Sequence, residues 1–397
     1  MKTNWQTKKL GEVCDFVRGP FGGSLKKSIF KKDGYAVYEQ QHAIYNQFSD
    51  LRYFIDEKKF NEMKRFELKS GDLIMSCSGT MGKIAIAPDR LKKGIINQAL
   101  LKLKPSNKIL GIFLKLWMQS ESFQESLKTF SQGAAIKNVA SVKILKQIEI
   151  PLPSLTEQHR IVKKLDKVFG EIEKAKKNTE KNLQNSKELF ESYLQNIFNN
   201  SGTDWQEKRL GDAYDVRDGT HDSPKYQNKG FALITSRNLK KDELDYKKIR
   251  YISEKDYHKI NDRSKVHKGD ILFAMIGTIG NPVVVKIEPD FAIKNVALFK
   301  IPKEQDSYFL KYFLDSKFVI DKMMSEAKGT TQKFVGLGYL RDFKIKLPKL
   351  SDQKLIVKKL DELSEKTKRL EEIYKQKLAD LDELKKSILA KAFNGEL

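Results

Sequence analysis

The sequence predicts an α+β chain written twice: two pseudo-repeated α+β domains separated by two long helices that form an antiparallel coiled coil. Three observations carry this. A set of short segments recurs in the same order. The first part of each copy alternates β-branched and aromatic runs with turn residues. The second part of each copy has apolar residues spaced by three and four.

The repeat comes first because it resets every later assignment. Residues 5–11, WQTKKLG, recur as WQEKRLG at 205–211, and residues 71–82, GDLIMSCSGTMG, as GDILFAMIGTIG at 269–280. Asn97-Gln98-Ala99-Leu100 matches Asn295-Val296-Ala297-Leu298. Residues 153–166, PSLTEQHRIVKKLD, recur as PKLSDQKLIVKKLD at 348–361, and residues 188–198, ELFESYLQNIF, as ELKKSILAKAF at 383–393. The offset drifts only from 200 to 195, and chance does not supply five collinear matches. The expected boundaries are a first domain at 1–152, a first long helix at 153–202, a second domain at 203–348 and a second long helix at 349–397.

Within the domains, Lys83 to Ala87 and Val283 to Ile287 read as strands, followed by turns at Ala87-Pro88-Asp89 and Glu288-Pro289-Asp290. One helical stretch is expected in each copy, Leu110 to Thr129 and Ser307 to Ala327. The long segments place Ile161, Leu165, Val168, Ile172, Ala175, Thr179, Asn182, Ser186, Leu189 and Tyr193 at spacings of four and three. The second copy has Ile356, Leu360, Leu363, Thr367, Leu370, Tyr374, Lys377, Leu381, Leu384 and Ile388. A narrow stripe with a 3.5-residue period seeks a similar helix as partner. The alternative is two amphipathic helices, each lying on its own domain. Thr156 and Ser351 read as helix starts, and Asn394-Gly395 as a stop. Each helix carries the chain from one domain to the other, so the pair is expected to run antiparallel.

Charge locates the partner. The chain holds 75 Lys and Arg against 52 Asp and Glu, net +23. Residues 1–150 contribute +12 and residues 203–347 contribute +7, leaving +4 for the rest. The domains, not the helices, are therefore the parts expected to meet a polyanion. A basic zipper would have put the charge on the helices. A 45-residue helix is about 68 Å long at 1.5 Å per residue, close to two turns of B-DNA at about 34 Å each. Two basic domains on such a spacer suggest a reader of bipartite duplex DNA.

Other function classes find little support. The first ten residues, MKTNWQTKKL, lack the apolar stretch of a secretory signal. The most apolar run, Ile271 to Val285, is broken by Gly277, Gly280, Asn281 and Pro282, so no membrane span is expected. Cys14 and Cys77 align with Tyr214 and Met275 and read as core thiols in a reducing cytoplasm. The chain has no Pro-Pro, so the Asn/Asp-Pro-Pro-aromatic motif of adenine methyltransferases is absent. The Gly79-Thr80-Met81-Gly82 and Gly277-Thr278-Ile279-Gly280 elements lack the Lys-Ser/Thr of a phosphate loop and read as turns after buried strands. Pro289-Asp290 with Asp315-Ser316-Lys317 is a weak nuclease match with no counterpart around Asp89. His42, His159, His221, His258 and His267 form no metal-ligand spacing. No catalytic residue and no metal site is expected.

With both copies of Gly-Asp-x-x and Gly-Thr-x-Gly in hand, and with Pro-x-Leu-x-x-Gln before Ile-Val-x-Lys-Leu-Asp opening both helices, the chain resembles the specificity subunits of type I restriction–modification systems. The resemblance spans essentially the whole chain. It implies that each domain is a target recognition domain and that the helices pair antiparallel. It also implies that two methylation subunits and restriction subunits assemble on this body in the cytoplasm. S-adenosylmethionine, ATP and Mg are then expected only on those partners, with no cofactor here. A non-enzymatic nucleic-acid-binding scaffold outside restriction–modification is the alternative.

Candidate DNA-binding residues follow from chemistry. An offset of 196 aligns Tyr38-Glu39-Gln40-Gln41-His42 with Ile234-Thr235-Ser236-Arg237-Asn238, apolar strand ends that turn polar. Gln and Asn pair bidentately with adenine and Arg with guanine, so Gln40, Gln41, His42, Ser236, Arg237 and Asn238 are candidates. Solvated strand ends are the alternative. Lys26, Lys27, Lys31 and Lys32 read as a backbone-contact loop, as does Asp218-Gly219-Thr220-His221 with Lys225. Lys137 and Lys333 occupy equivalent places after Gly133 and Gly329, which favours a shared role such as phosphate contact; a surface lysine is the alternative.

Overall fold

The computed structural model describes residues 5–129, 141–199, 202 and 204–397. The chain divides into two compact units, one formed by Met1–Thr179 with Gln376–Leu397 and the other by Glu180–Lys375. Each unit therefore takes a domain together with part of each long helix.

In the first unit, Cys14–Arg18, Leu100–Pro105, Leu73–Ser76 and Ile84–Ile86 form an antiparallel four-stranded sheet in that order. A second sheet has Tyr35–Tyr38 between Phe54–Ile55, its antiparallel neighbour, and Gly94–Ile96, its parallel one. Alternating side chains bury both faces of the larger sheet. Leu73, Met75, Leu101 and Leu103 enter one core with Phe113 and Trp117, while Ile74, Ala85 and Leu100 enter another with Ala36, Tyr38 and Ile96. The second unit repeats this: Asp215–Asp218, Val296–Lys300, Ile271–Ala274 and Gly280–Val284 in one sheet, Arg250–Ile252, Phe231–Ile234 and Phe291–Ile293 in the other. It adds a small hairpin, Leu239–Lys240 with Glu243–Leu244.

Several expectations hold and several are corrected. Cys14 and Cys77 are buried, as are Tyr214 and Met275, and desolvation pushes the two thiols up to about 12 and about 11. The Gly-Thr-x-Gly elements are turns after buried strands: Gly79, Gly82, Gly277 and Gly280 all have positive φ, and Ser76 Oγ donates to the Thr80 carbonyl at 2.6 Å. The strands expected at 83–87 and 283–287 run Ile84–Ile86 and Gly280–Val284, the second starting earlier because the turn residues themselves pair. The single helices expected at 110–129 and 307–327 are each two, Gly111–Met118 with Glu121–Thr129 and Ser307–Asp315 with Lys317–Glu326. In the second unit the break is Ser316, whose extended backbone (ψ 139°) lets its hydroxyl donate to the Phe313 carbonyl at 2.6 Å.

The Asn97–Leu100 match is displaced by one at the asparagine, since Asn97 N–H donates to Tyr38 O where Lys294 N–H donates to Ile234 O, and by two at the strand. Gly19 N–H donates to Leu100 O, whereas the equivalent Gly219 donates to Val296 O. Leu100 thus takes the place of Val296, not Leu298. Gln98 and Ala99 form a turn where the second copy has Asn295 alone, and a shift of two at the strand preserves which face each side chain meets.

The long helices run Leu155–Asn199 and Leu350–Phe393, each starting one residue before the expected Thr156 and Ser351. Gly395, at φ 76°, ends the second, with Glu396 N–H returning to Lys391 O. In the first unit the two segments run antiparallel: Arg160 reaches Leu397 O, Lys385 lies over the Phe169 ring at 5.1 Å, and Lys176 pairs with Asp382. The seam follows the expected register at Ile161, Leu165, Ile172, Thr179, Leu360 and Thr367, all buried. Ser186 is buried as well, but Asn182, Leu189, Leu370, Lys377 and Leu384 are exposed, so the register is kept only in part. A straight α-helix drifts about 20° per heptad from a strict 3.5 repeat. The far ends also serve another core: Leu194 and Phe198 pack with Phe309 and Phe313, and Leu389, Ala392 and Phe393 with Phe113.

A single glutamine fixes each helix start to its domain. Gln158 is fully buried. Its Oε1 accepts from Leu110 N–H at 2.9 Å, and its Nε2 donates to Lys108 O and Pro153 O at 3.1 and 2.9 Å. Gln353, also fully buried, accepts from Asp306 N–H at 2.9 Å and donates to Pro348 O at 2.8 Å and Gln305 Oε1 at 2.9 Å. Replacing either by leucine strands buried partners, so Gln158→Leu and Gln353→Leu are each expected to cost about 2–4 kcal/mol. Denaturant titration of each variant measures this; an unchanged midpoint would show that the ties contribute nothing.

Candidate nucleic-acid interface

The candidate residues lie where strands of the two sheets in each unit come to an end. Here backbone crowding dictates the sequence. A Cβ on Gly19 would sit 1.8 Å from Asn97 O, and one on Gly219 would sit 2.3 Å from Ile293 O. Both positions therefore need glycine, and both turn the chain out of the sheet at the same point.

In the second unit, Thr220 bridges to Lys294, and Ser236 Oγ donates to Asn295 O at 3.2 Å. The His221 ring joins the same group, with Nδ1 at 2.9 Å from Asn295 Oδ1 and Nε2 at 2.8 Å from Asp218 Oδ2. Arg263 closes on the other oxygen of the buried Asp218. Lys294 donates to Asp222 O and Ser223 Oγ at 2.8 and 2.7 Å, which ties down the start of the following loop. The fold thus brings Thr220, His221, Ser236 and Arg237 to one rim around Asn295, which sits at φ 54°. Arg237 is exposed and makes no hydrogen bond or ion pair among the described residues. Lys225 is exposed on the same loop as His221.

In the first unit, Gln40 Oε1 accepts from Ser78 N–H at 3.2 Å, and Gln41 Nε2 donates to Asp50 O at 3.2 Å; both side chains are partly exposed. Lys26, Lys27 and Lys32 are exposed and free of ion pairs among the described residues, while Lys31 lies 3.8 Å from Asp56. Lys333 belongs to the Gly277 turn, where its carbonyl accepts from Gly277 N–H, and its Nζ reaches Met324 O at 3.2 Å. Lys137 lies outside the described residues.

Two candidates are corrected. His42 is fully buried and Asn238 is 6% exposed. Each stands four residues beyond a strand end and accepts from the first residue after it: Glu39 N–H donates to His42 Nδ1 at 2.9 Å, and Thr235 N–H to Asn238 Oδ1 at 3.0 Å. Their other ends are equivalent too. His42 Nε2, which then carries the ring proton, donates to Asp50 O at 3.0 Å, and Asn238 Nδ2 donates to Asp245 O at 2.9 Å. They hold the polar run in place and offer no surface to a base. The offset of 196 was right; the role was not visible, because a buried cap and a solvated strand end have the same local sequence. The reading put Asp218 in the contact loop, whereas it is buried beneath His221 and Arg263, and it missed Arg263, Lys294 and Asn295.

The family model for the type I restriction modification DNA specificity domain matches this chain twice, at residues 2–181 and 202–379. The chain belongs to that family. Among relatives of this specificity protein, the type I restriction enzyme MjaVIII specificity subunit of Methanocaldococcus jannaschii is 26% identical over 99% of this chain and 93% of its own length. The EcoKI specificity subunit of Escherichia coli K12 is 25% identical over 74% of this chain and 67% of its own. The fold is shared with solved chains. One, from work on complex assembly and conformational transition of the type I R-M system, has a TM-score of 0.76 at 20% identity over 99% of this chain and 98% of that one. The HsdS subunit of Thermoanaerobacter tengcongensis gives 0.65 at 18% identity over 99% and 97%.

The corrected roles separate two variants of adjacent residues. Asn238→Ala is expected to destabilise the second unit by about 0.5–2 kcal/mol, as loss of a cap does. Arg237→Ala should leave thermal stability unchanged. Calorimetry on both tests this, and equal melting temperatures for Asn238→Ala and the parent would refute the positioning role.

Proposed function

We propose that this specificity subunit binds a bipartite duplex DNA target, one half-site per domain, and is the body on which two methylation subunits and restriction subunits assemble. The reading rests on one observation. Each unit places a glycine turn and a buried capping side chain, His42 or Asn238, at the same two points, and then presents different side chains beside them. Gln40 and Gln41 stand where Ser236 and Arg237 stand in the other unit. A fold that repeats its supports and varies its exposed donors suits reading two different sequences.

The net charge of +23 is concentrated in the two domains and supports a polyanionic partner. No helix among the described residues is long and apolar enough to cross a membrane, in keeping with a cytoplasmic protein. The chain acts without a catalytic site of its own. Methyl transfer from S-adenosylmethionine and ATP-dependent cleavage with Mg belong to the partner subunits.

Sequencing methylated adenines in DNA from cells carrying this chain with its methylation partner should give one split motif. Exchanging residues 203–347 for another recognition domain should change only one half of it; a rewritten second half would defeat independent reading. In vitro, duplex affinity should fall steeply with salt as counterions are released. Arg237→Ala should relax one position at a cost of about 1–3 kcal/mol. Uniform weakening on every sequence would reassign Arg237 to phosphate contact, and methyl transfer by the isolated chain would overturn the non-catalytic role.

A further inference from the structure

The glycines that turn the chain out of the sheet have a ring two residues beyond them in each copy: Phe21 after Gly19, His221 after Gly219. Gly19 N–H donates to Leu100 O at 2.9 Å and Gly219 N–H to Val296 O at 3.0 Å, so the two rings start from matching anchor points. Their surroundings differ. His221 is tied to Asp218 and Asn295 beside Ser236. Phe21 is 92% exposed, the largest exposure among the large hydrophobic side chains of the described residues. It lies between Pro20 and the pair Gly22-Gly23, with exposed Lys26 and Lys27 a few residues on and Lys32 beyond them.

We propose that Phe21 is a stacking wedge that enters a base step of the DNA half-site read by the first domain. The inference rests on the duplex-binding reading above and adds a contact to it. A bare phenyl ring in water is unfavourable, and lysines beside it make an ordinary apolar protein partner a poor match. Nucleic acid matches both features at once, with phosphates for the ammonium groups and flat apolar base faces for the ring. Apolar side chains inserted between base steps partly unstack them. Phe21 has no donor or acceptor, so it reads no base edge. Its discrimination comes from the ease with which a given step unstacks, pyrimidine–purine steps most readily. The flanking glycines carry no side chain to obstruct the approach of the backbone to the groove. His221 takes the corresponding place in the second unit as a hydrogen-bonded ring.

The test uses the full chain and a duplex carrying the sequence methylated in cells. Phe21 is exposed, so Phe21→Ala, Phe21→Leu and Phe21→Trp are expected to fold as the parent does, which circular dichroism checks. In Phe21→Trp the emission added over the three native tryptophans should be quenched when duplex binds, because the indole stacks on a base. Phe21→Ala should weaken binding about tenfold, within the range for loss of base–aromatic stacking, and leave the salt slope unchanged because no phosphate contact is lost. Phe21→Leu should keep part of the affinity. Unquenched emission on a bound duplex, or parental affinity in Phe21→Ala, overturns the proposal and leaves duplex recognition standing. Loss of methylation-subunit binding with duplex affinity unchanged overturns it too, by making Phe21 a protein contact. If the parent chain itself binds no duplex, the DNA-specificity reading fails and the wedge fails with it.

Discussion

Everything in each unit is hung from a buried glutamine. Gln158 and Gln353 sit in the first turn of the long helices, where backbone donors and acceptors are hardest to satisfy, and each uses both ends of its amide on main-chain or side-chain partners of the adjoining domain. A long helix packed only through apolar side chains could slide or rotate against its domain at little cost. A planar amide with three partners cannot, because any displacement leaves buried groups unpaired. The direction in which a recognition domain is carried by its helix is therefore set by hydrogen bonds, while the depth of packing is set by the apolar cores around Leu165 and Leu360.

The residues that recur between the copies are, on this structure, the ones that hold it up. Asp72 and Asp270 of the repeated Gly-Asp pair are buried; each accepts from a main-chain N–H three residues earlier, at 3.0 and 2.7 Å, and each faces a lysine, Lys102 or Lys300. Gly19 and Gly219 are dictated by contact with a neighbouring carbonyl. His42 and Asn238 differ chemically yet perform one task, since each offers an acceptor to a strand end and a donor to a loop carbonyl. Repetition in this chain thus marks structural joints. Matched positions at the rim differ, Gln40 against Ser236, Gln41 against Arg237 and Phe21 against His221, and of these Arg237 and Phe21 are the exposed side chains that no hydrogen bond ties down among the described residues.

This explains how much was legible in the sequence. The two-copy architecture, the long helices and the buried thiols could be read because each depends on a pattern extending over many residues. The seam was legible near Ile161 and Leu165 and lost at Leu189 and Leu384, where helical drift accumulates and a domain core competes for the same side chains. The two-residue shift at Leu100 was invisible because it keeps the alternation of faces intact. The rim was half legible. Its location followed from the change from apolar to polar after a strand, but burial of His42 and Asn238 depends on loops some eight residues on, at Asp50 and Asp245. One partner of His221 lies farther still, since Asn295 is 74 residues away.

The pinned neighbours also bear on energetics. Arg237 stands between Ser236, bonded to Asn295 O, and Asn238, bonded to Thr235 and Asp245. Its backbone is held by both sides while its own side chain has no partner among the described residues. Binding then orders one side chain rather than a loop, a cost of about 0.5–1.5 kcal/mol, less than the discrimination a bidentate base contact can return. The same holds for exchange of one base-reading residue for another. Because support comes from Ser236 and Asn238 rather than from Arg237, a different side chain at position 237 would leave the rim standing. Such a rim can change what it reads without changing how it folds.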